Sequence, residues 1–452
     1  MPMEKYKNFW HLAGPASAEG LLLMLLSAVD LIMVSSLGTT AVAAVSIFGQ
    51  PRMVILCVSR SFAVAITAHI AQKCGEKETQ SFTEFSRQSL FLSGVGGGVL
   101  CIFSICFCEP ILLLAGAKNE YLCQAVQYAI PALISLVLSA PAITLHGILA
   151  GIGDTKTVLK VNVFGNMINI LCNAFFIYGI GPFPQLGGLG AGIGTLIGTT
   201  ATLITTLIVF LRKSHIASLL GTGTWLPSLF YLKQILPLSS GVFAEQSVER
   251  VGMFLYSRMI ANLGASSLSI HNICMGICDI YYSFAQGMGK ASLIQSGNDY
   301  GATRGRNFKD ICRISRVESI WTSSVACILL ICFRSVILKL YHLEGGELII
   351  ALNLMILVAI VSFPEAQAMS HAGILRGIGH TGYVAKYSMV SVAVLRPIVT
   401  YILVYSLGMG LYGAWLALFL DQTLRAVFAV TGVTYFFKRI GGTQNKHREE
   451  TS

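Results

Sequence analysis

The sequence predicts an all-α integral membrane protein: 12 transmembrane helices in two pseudo-symmetric six-helix lobes. Composition is the first ground. Hydrophobic residues make up 54% of the chain and charged residues 12%, and the mean hydropathy is +0.70. A soluble domain needs about twice that charge to cover its surface. The second ground is a duplication. A shift of 226 residues lays Leu37 and Gly38 on Leu263 and Gly264, and Gly75 on Gly301. It also lays Phe82, Glu84 and Arg87 on Phe308, Asp310 and Arg313, and Gly147, Gly151, Gly153 and Thr155 on Gly373, Gly377, Gly379 and Thr381. The register is expected to hold without net insertion from about residue 13 to about residue 180. In an apolar chain, such a repeat is the pattern of a transporter with its site between the repeats.

The third ground is the spacing of apolar stretches. Spans long enough to cross about 30 Å of hydrocarbon are predicted near 12–36, 43–70, 88–115, 125–149, 158–180 and 189–211. A second set falls near 234–261, 267–291, 317–338, 347–374, 384–406 and 410–437. Segments of this length are helical, because a barrel would show shorter alternating strands. The predicted division is an N-terminal lobe over 1–211, a cytoplasmic linker over 212–233, a C-terminal lobe over 234–437 and a cytoplasmic tail over 438–452, the tail polar and without fixed structure. The linker, with Ser, Gly, Pro and Trp between charges, is expected to lie partly on the membrane.

The apolar run behind Lys5 and Lys7 is too long for a cleavable signal and leads straight into the repeat, so the first span is expected to stay in the protein. Basic residues sort to one side. Lys5, Lys7, Lys73, Lys77, Arg87, Lys156, Lys160, Arg212, Lys213, Arg304, Arg306, Lys309, Arg313, Arg376, Lys386, Lys438 and Arg439 fall in loops of one face, while the loops near 37–41, 181–188, 262–266 and 407–410 carry none. The positive-inside rule then places both termini in the cytoplasm of a multi-pass plasma-membrane protein. The net charge of +10 is accounted for by this topology and by anionic headgroups; no clustered basic face for nucleic acid exists. The 12 cysteines sit singly in apolar spans or as helical neighbours such as Cys274 and Cys278, which is the pattern of small buried hydrophobes rather than metal ligands. Glycine runs such as 94–98 and 187–194 lack the Lys-Ser/Thr of a nucleotide loop and serve close helix approach. No cofactor is implied beyond a coupling ion, and no catalytic cluster points to an enzyme.

Acids inside these spans carry the functional signal. A carboxylate at the bilayer centre costs roughly 2.5–3.5 kcal/mol on insertion scales, so it persists only beside water, a partner or a cation. Asp30 lies in the first span behind Pro15, and Glu19 shares its helical face with Leu23, Leu26, Ser27 and Asp30. Glu19 and Glu245 are related by the repeat. Glu245, Glu249, Gly252 and Tyr256 recur at helical spacing along the seventh span, and Glu365 follows Pro364 in the tenth. Three acids crowded in one lobe favour proton coupling there, whereas Arg250 beside Glu249 offers a purely structural ion pair. Asp279 and Asp421 are weaker candidates, and His146, His271 and His371 are expected to be packed helix contacts. The pairs Glu84/Arg87 and Asp310/Arg313 are expected to brace two related cytoplasmic loops.

Several strings carry a family resemblance. Ser27, Asp30 and Met33, followed by Leu37-Gly38 and the 43–46 stretch Ala43, Ala44, Val45 and Ser46, resemble the first span of the multidrug and toxic compound extrusion (MATE) family. So do Gly147, Gly151, Gly153, Asp154, Thr155 and Lys156, then Asn169 and Asn173 leading to Tyr178, Gly179, Gly181 and Pro182, and finally Gly190-Ala191. The similarity covers about residues 10 to 437. It implies two six-helix lobes forming a V and efflux of amphipathic, often cationic drugs or metabolites against inward flow of Na⁺ or H⁺. It also implies a cation site in the amino-terminal lobe at Asp30 and a fifth-span position, here Asn173 where an aspartate is usual. An amide cannot take up a proton, yet its carbonyl can ligate Na⁺ together with Asp30, Asn169 and the Thr195 hydroxyl. The resemblance further implies a rival cation site at Glu245 or Glu249 with Glu365. Phe48, Phe243, Met253, Tyr256, Tyr281 and Tyr282 are candidates for a pliable apolar and aromatic substrate lining. The protein is expected to act as a monomer on a small molecule in a lipid bilayer. A flippase of a lipid-linked oligosaccharide is the alternative reading, though its pyrophosphate would call for a more basic cavity.

Overall fold

The computed structural model describes residues 3–78, 82–212, 217–220, 223–339, 341 and 343–450. Lys213, counted above among the basic residues, and part of the linker lie outside them. Among the described residues there is no strand. The helices are α1 (Met3–Ser35), α2 (Thr39–Glu76), α3 (Phe82–Cys106), α4 (Cys108–Leu114), α5 (Asn119–Gly151), α6 (Thr155–Tyr178) and α7 (Gly188–Phe210). They continue with α8 (Leu229–Ala261), α9 (Ala265–Thr303), α10 (Phe308–Lys339) and α11 (Gly345–Gly377). The next rod is composite: α12 (Thr381–Ser388), a π-helical segment π1 (Met389–Leu395), α13 (Arg396–Tyr401) and a second, π2 (Ile402–Ser406). Helix α14 (Gly410–Glu450) closes the chain.

Ten of these rods are long and apolar enough to cross a membrane. Helices α8 and α9, which supply the remaining two spans of the 12-helix fold, run 33 and 39 residues but carry more polar and charged side chains. Helix α14 also departs from expectation. It continues to Glu450 through the tail expected to lack structure, with no proline to stop it.

By its internal contacts the chain forms two compact units. One comprises Leu21–Ile70 and Lys77–Ser239. Its core gathers Val34, Phe48, Leu112, Leu133 and Ile177. Glycines let its helices close up: a Cβ at Gly147 would stand 2.8 Å from the Ala63 carbonyl oxygen, and Thr67 Oγ1 donates instead to the Gly147 oxygen at 2.9 Å. The linker is fastened to α3 in the same unit. Arg87 donates to the Leu219 oxygen at 2.7 and 3.0 Å and to the Gly223 oxygen at 2.8 Å, with Trp225 5.4 Å from its guanidinium. Glu84 accepts from Gln88 and Thr224. The acid and base of this repeat-related motif therefore brace the linker through separate partners and not through each other.

The other unit comprises Met1–Gly20, Ala71–Glu76 and Ser240–Ser452. Tyr256, Leu354, Met355 and Trp415 lie at its centre, and Phe9, Ala13, Met288, Ala291 and Ile314 form a satellite cluster. Here Asp310 accepts from Lys5 at 2.6 Å, and Trp10 donates to Glu318 at 2.9 Å.

The recurring Gly-x-Gly motif has a structural cause. Gly153 and Gly379 take φ of 91° and 89°, left-handed values that end α5 and α11. Asp154 then caps α6 by accepting from the Thr157 N–H at 3.1 Å.

The repeat register also holds less far than the sequence alone indicates. Tyr178 donates its hydroxyl to the Met33 oxygen at 3.1 Å, and Tyr405 donates to the Met259 oxygen at 2.6 Å. Met259 follows Met33 by 226 positions, but Tyr405 follows Tyr178 by 227. A π segment accommodates one residue more than an α-helix over the same path, and π1 and π2 lie where the slip occurs.

Candidate functional site

In the Leu21–Ile70 and Lys77–Ser239 unit, the predicted first-half residues converge. The Asn173 side-chain amide donates to Asp30 Oδ1 at 2.8 Å and approaches Asn169 Oδ1 at 3.5 Å. Asn173 is 1% exposed, and its own Oδ1 is buried without a hydrogen-bond partner. The glycine face of α7 permits this closeness: a Cβ at Gly194 would press on Asn173 Oδ1 and fall 2.9 Å from the Asn173 backbone nitrogen, and one at Gly198 would fall 2.5 Å from the Asn169 Cβ. Thr195 turns its hydroxyl onto its own helix, donating to the Ala191 oxygen at 2.9 Å.

One charged neighbour escaped the sequence reading. Arg52 of α2 acts electrostatically on Asp30 and on Tyr128, and its Nε is buried without a partner. Phe48, one turn earlier on the same face, packs edge-on against Tyr128 at 5.9 Å. The signal was present, since an arginine within an apolar span needs a reason.

In the other unit, acids and arginines form a buried network. Arg376 donates to Glu245 Oε1 at 2.6 Å, and Arg425 donates to Glu249 at 2.5 Å while standing 3.8 Å from Glu245. The second oxygen of Glu245 has no partner. Arg396 donates through Nε to Asp421 Oδ2 at 3.0 Å and also through Nη2, and Ser391 donates to Oδ1 at 2.5 Å. Arg396 Nη1 reaches Met253 Sδ at 3.0 Å, with the Tyr256 ring 5.9 Å away.

Arg250 therefore does not hold Glu249. Adjacent residues on a helix point about 100° apart, and Arg250 is exposed and acts on Asp279 instead. Glu365 is 4% exposed and, among the described residues, makes no ion pair; the Cys278 thiol lies 4.0 Å from its Oε2. Glu19 is engaged by Lys290 at 3.1 Å. The histidines are packed as expected, His146 on Thr206, His271 between Tyr256 and Trp415, and His371 on the Gln367 oxygen. Among the described residues every cysteine is free, and no cluster of metal-ligating side chains occurs.

Of the residues proposed to line a substrate path, Phe48, Tyr256 and Tyr281 are closed into packed interiors at 2%, 0% and 7% exposure. Tyr256 donates to the Ala414 oxygen at 2.8 Å, and Tyr281 bonds Ser323 at 2.7 Å. Met253 and Tyr282 are half-buried, and Phe243 is exposed.

A duplicated set of membrane-length helices, with a half-buried Asp30 in one half and buried Glu245, Glu365 and Asp421 in the other, defines a multi-pass secondary transporter. The family follows from the sequence match: the chain belongs to the MatE family, whose model it meets over residues 15–175 and again over 242–402. It is 25% identical to a probable multidrug resistance protein NorM of Photorhabdus laumondii, covering 79% of this chain and 78% of that protein. A protein of the same description from Pseudomonas putida is 23% identical, covering 98% and 96%. A solved structure described as the outward-facing conformation of a multidrug resistance MATE family transporter superposes with a TM-score of 0.90, covering 97% of each chain at 20% identity, and establishes the fold. The chain is accordingly an efflux antiporter of the multidrug type, and the oligosaccharide flippase is not favoured.

Proposed function

We propose that this protein exports amphipathic, often cationic drugs or metabolites across the plasma membrane, with both termini cytoplasmic, in exchange for Na⁺ bound at Asp30. The observation that carries the reading is the buried, unpartnered Asn173 Oδ1 next to a carboxylate. A buried carbonyl without a donor is costly, and a hard monovalent cation satisfies it while also neutralising Asp30. Asn169 adds a second amide oxygen, and Thr195 one turn from its present bond adds a hydroxyl. Cation binding then drives exchange through its different affinity for two conformational states. Substrate contact falls in this reading to Phe243, Met253 and Tyr282, the members of the lining set not closed into cores.

Proton coupling is the second reading, favoured by one observation: Glu365 is a buried acid without an ion pair among the described residues. Proteoliposomes loaded with ethidium distinguish the two. A Na⁺ gradient at constant pH drives exchange in the first reading, and only a pH gradient does so in the second. Exchange under neither gradient contradicts both.

A further inference from the structure

The repeat can be traced into the second unit by matched contacts. Tyr178 and Tyr405 bond the equivalent oxygens of Met33 and Met259. A Cβ on Gly190 would press the Phe176 oxygen, and one on Gly413 would press the Leu403 oxygen. Both contacts carry the shifted register beyond the extra residue, which we place in π1. Asp30 then lands on Tyr256, Asn169 on Arg396, Asn173 on Thr400 and Gly198 on Asp421.

The pairings agree. In the first unit Asn169 lies against Gly198, and in the second Arg396 is hydrogen-bonded to Asp421. The acid has moved from the α1 position to the α14 position, and a guanidinium has come with it. Arg396 and Asp421 are 3% and 4% exposed. That guanidinium also meets a thioether and the face of Tyr256, both hospitable to a cation, and its charge acts on Glu365. Its place directly after π1 matters, because π segments inside helices recur at functional sites.

Resting on the assignment of coupling to Asp30, we propose that Arg396 is a tethered cation filling the second half's copy of the coupling site, so that one cation, bound in the first half, is exchanged per cycle. The side chain does permanently for Asp421 what the mobile ion does transiently for Asp30. A buried carboxylate deprived of this partner would take up a cation from solution.

The test uses the full chain in proteoliposomes with membrane potential clamped at zero. The equilibrium ethidium gradient is read against the imposed gradient of Na⁺ or H⁺, whichever drives the wild type. Wild type should give a one-for-one slope and Arg396→Gln a two-for-one slope. Asp30→Asn should give none, and Asp30→Asn combined with Arg396→Gln should recover one-for-one exchange. That recovery is a gain that structural damage cannot produce. A two-for-one slope in the wild type overturns the proposal, as does a folded, monodisperse Asp30→Asn/Arg396→Gln protein that stays uncoupled. Should Arg396→Gln not fold, Arg396→Leu with Asp421→Asn leaves no unpaired charge and must keep the one-for-one slope; its loss overturns the proposal. An Asp30→Asn protein that remains coupled removes the Asp30 reading itself, and this inference with it.

Discussion

Asn173 gives its amide N–H to the Asp30 carboxylate at 2.8 Å while its carbonyl oxygen is left buried without a donor. A residue that both restrains an intramembrane acid and keeps an oxygen in reserve has the chemistry of a cation ligand. It explains how an amide can stand where family resemblance leads one to expect a second aspartate.

Replacing Asn173 with Leu removes that restraint. The half-buried Asp30 then loses its hydrogen-bond donor, a cost of about 1 kcal/mol. Thermal unfolding in detergent should shift down, and the cation concentration for half-maximal ethidium exchange should rise. Lowered stability with an unaltered cation concentration would show that Asn173 merely bridges helices.

Gly198 tests whether α7 must touch α6. A methyl group there would meet the Asn169 Cβ at 2.5 Å, closer than side chains tolerate. Gly198→Ala should cost about 1–3 kcal/mol through overpacking and weaken cation-driven exchange, whereas the same change at Gly94, which meets nothing within 4 Å, should be silent. Equal effects at both sites would count against a packed cation site.

Arg425 should behave as a structural keystone for Glu249 and Glu245. Its side chain is 4% exposed, and Arg425→Leu strands buried charge at a cost of about 3–5 kcal/mol. Adding Glu249→Leu should restore part of the loss. A double-mutant cycle in thermal unfolding measures the coupling, and a coupling of zero would contradict the network.

Arg87 is expected to fasten the linker. With Arg87→Ala the bonds to Leu219 and Gly223 vanish, and limited proteolysis should cut near 217–228 in the variant sooner than in the wild type. Identical digestion patterns would show that the linker is held elsewhere.

Much of the architecture was legible beforehand because lipid allows few solutions. A chain this apolar must close its backbone hydrogen bonds within helices, and the left-handed Gly153 and Gly379 wrote the duplication into the sequence. Asp30, Asn169 and Asn173 were also visible, and they do come together. The partners of the second-half acids were not. Arg376 looks like one more cytoplasmic positive charge until the fold brings it to Glu245, 131 positions away. Arg396 and Arg425 lie in apolar spans and went unremarked in the sequence, and which acid each meets depends on packing that periodicity does not encode. The slip of one residue at π1 hid itself as well, because side chains between Thr381 and Tyr405 resemble their counterparts too little to reveal an insertion.

The claim that coupling resides at Asp30 is tested most directly by gradient-driven ethidium exchange in proteoliposomes carrying Asp30→Asn, with Glu365→Gln measured alongside. The account predicts that the first variant folds yet shows no gradient-driven exchange, while the second retains it. Full exchange by Asp30→Asn, with loss only in Glu365→Gln, would place the coupling site in the other half and contradict the account.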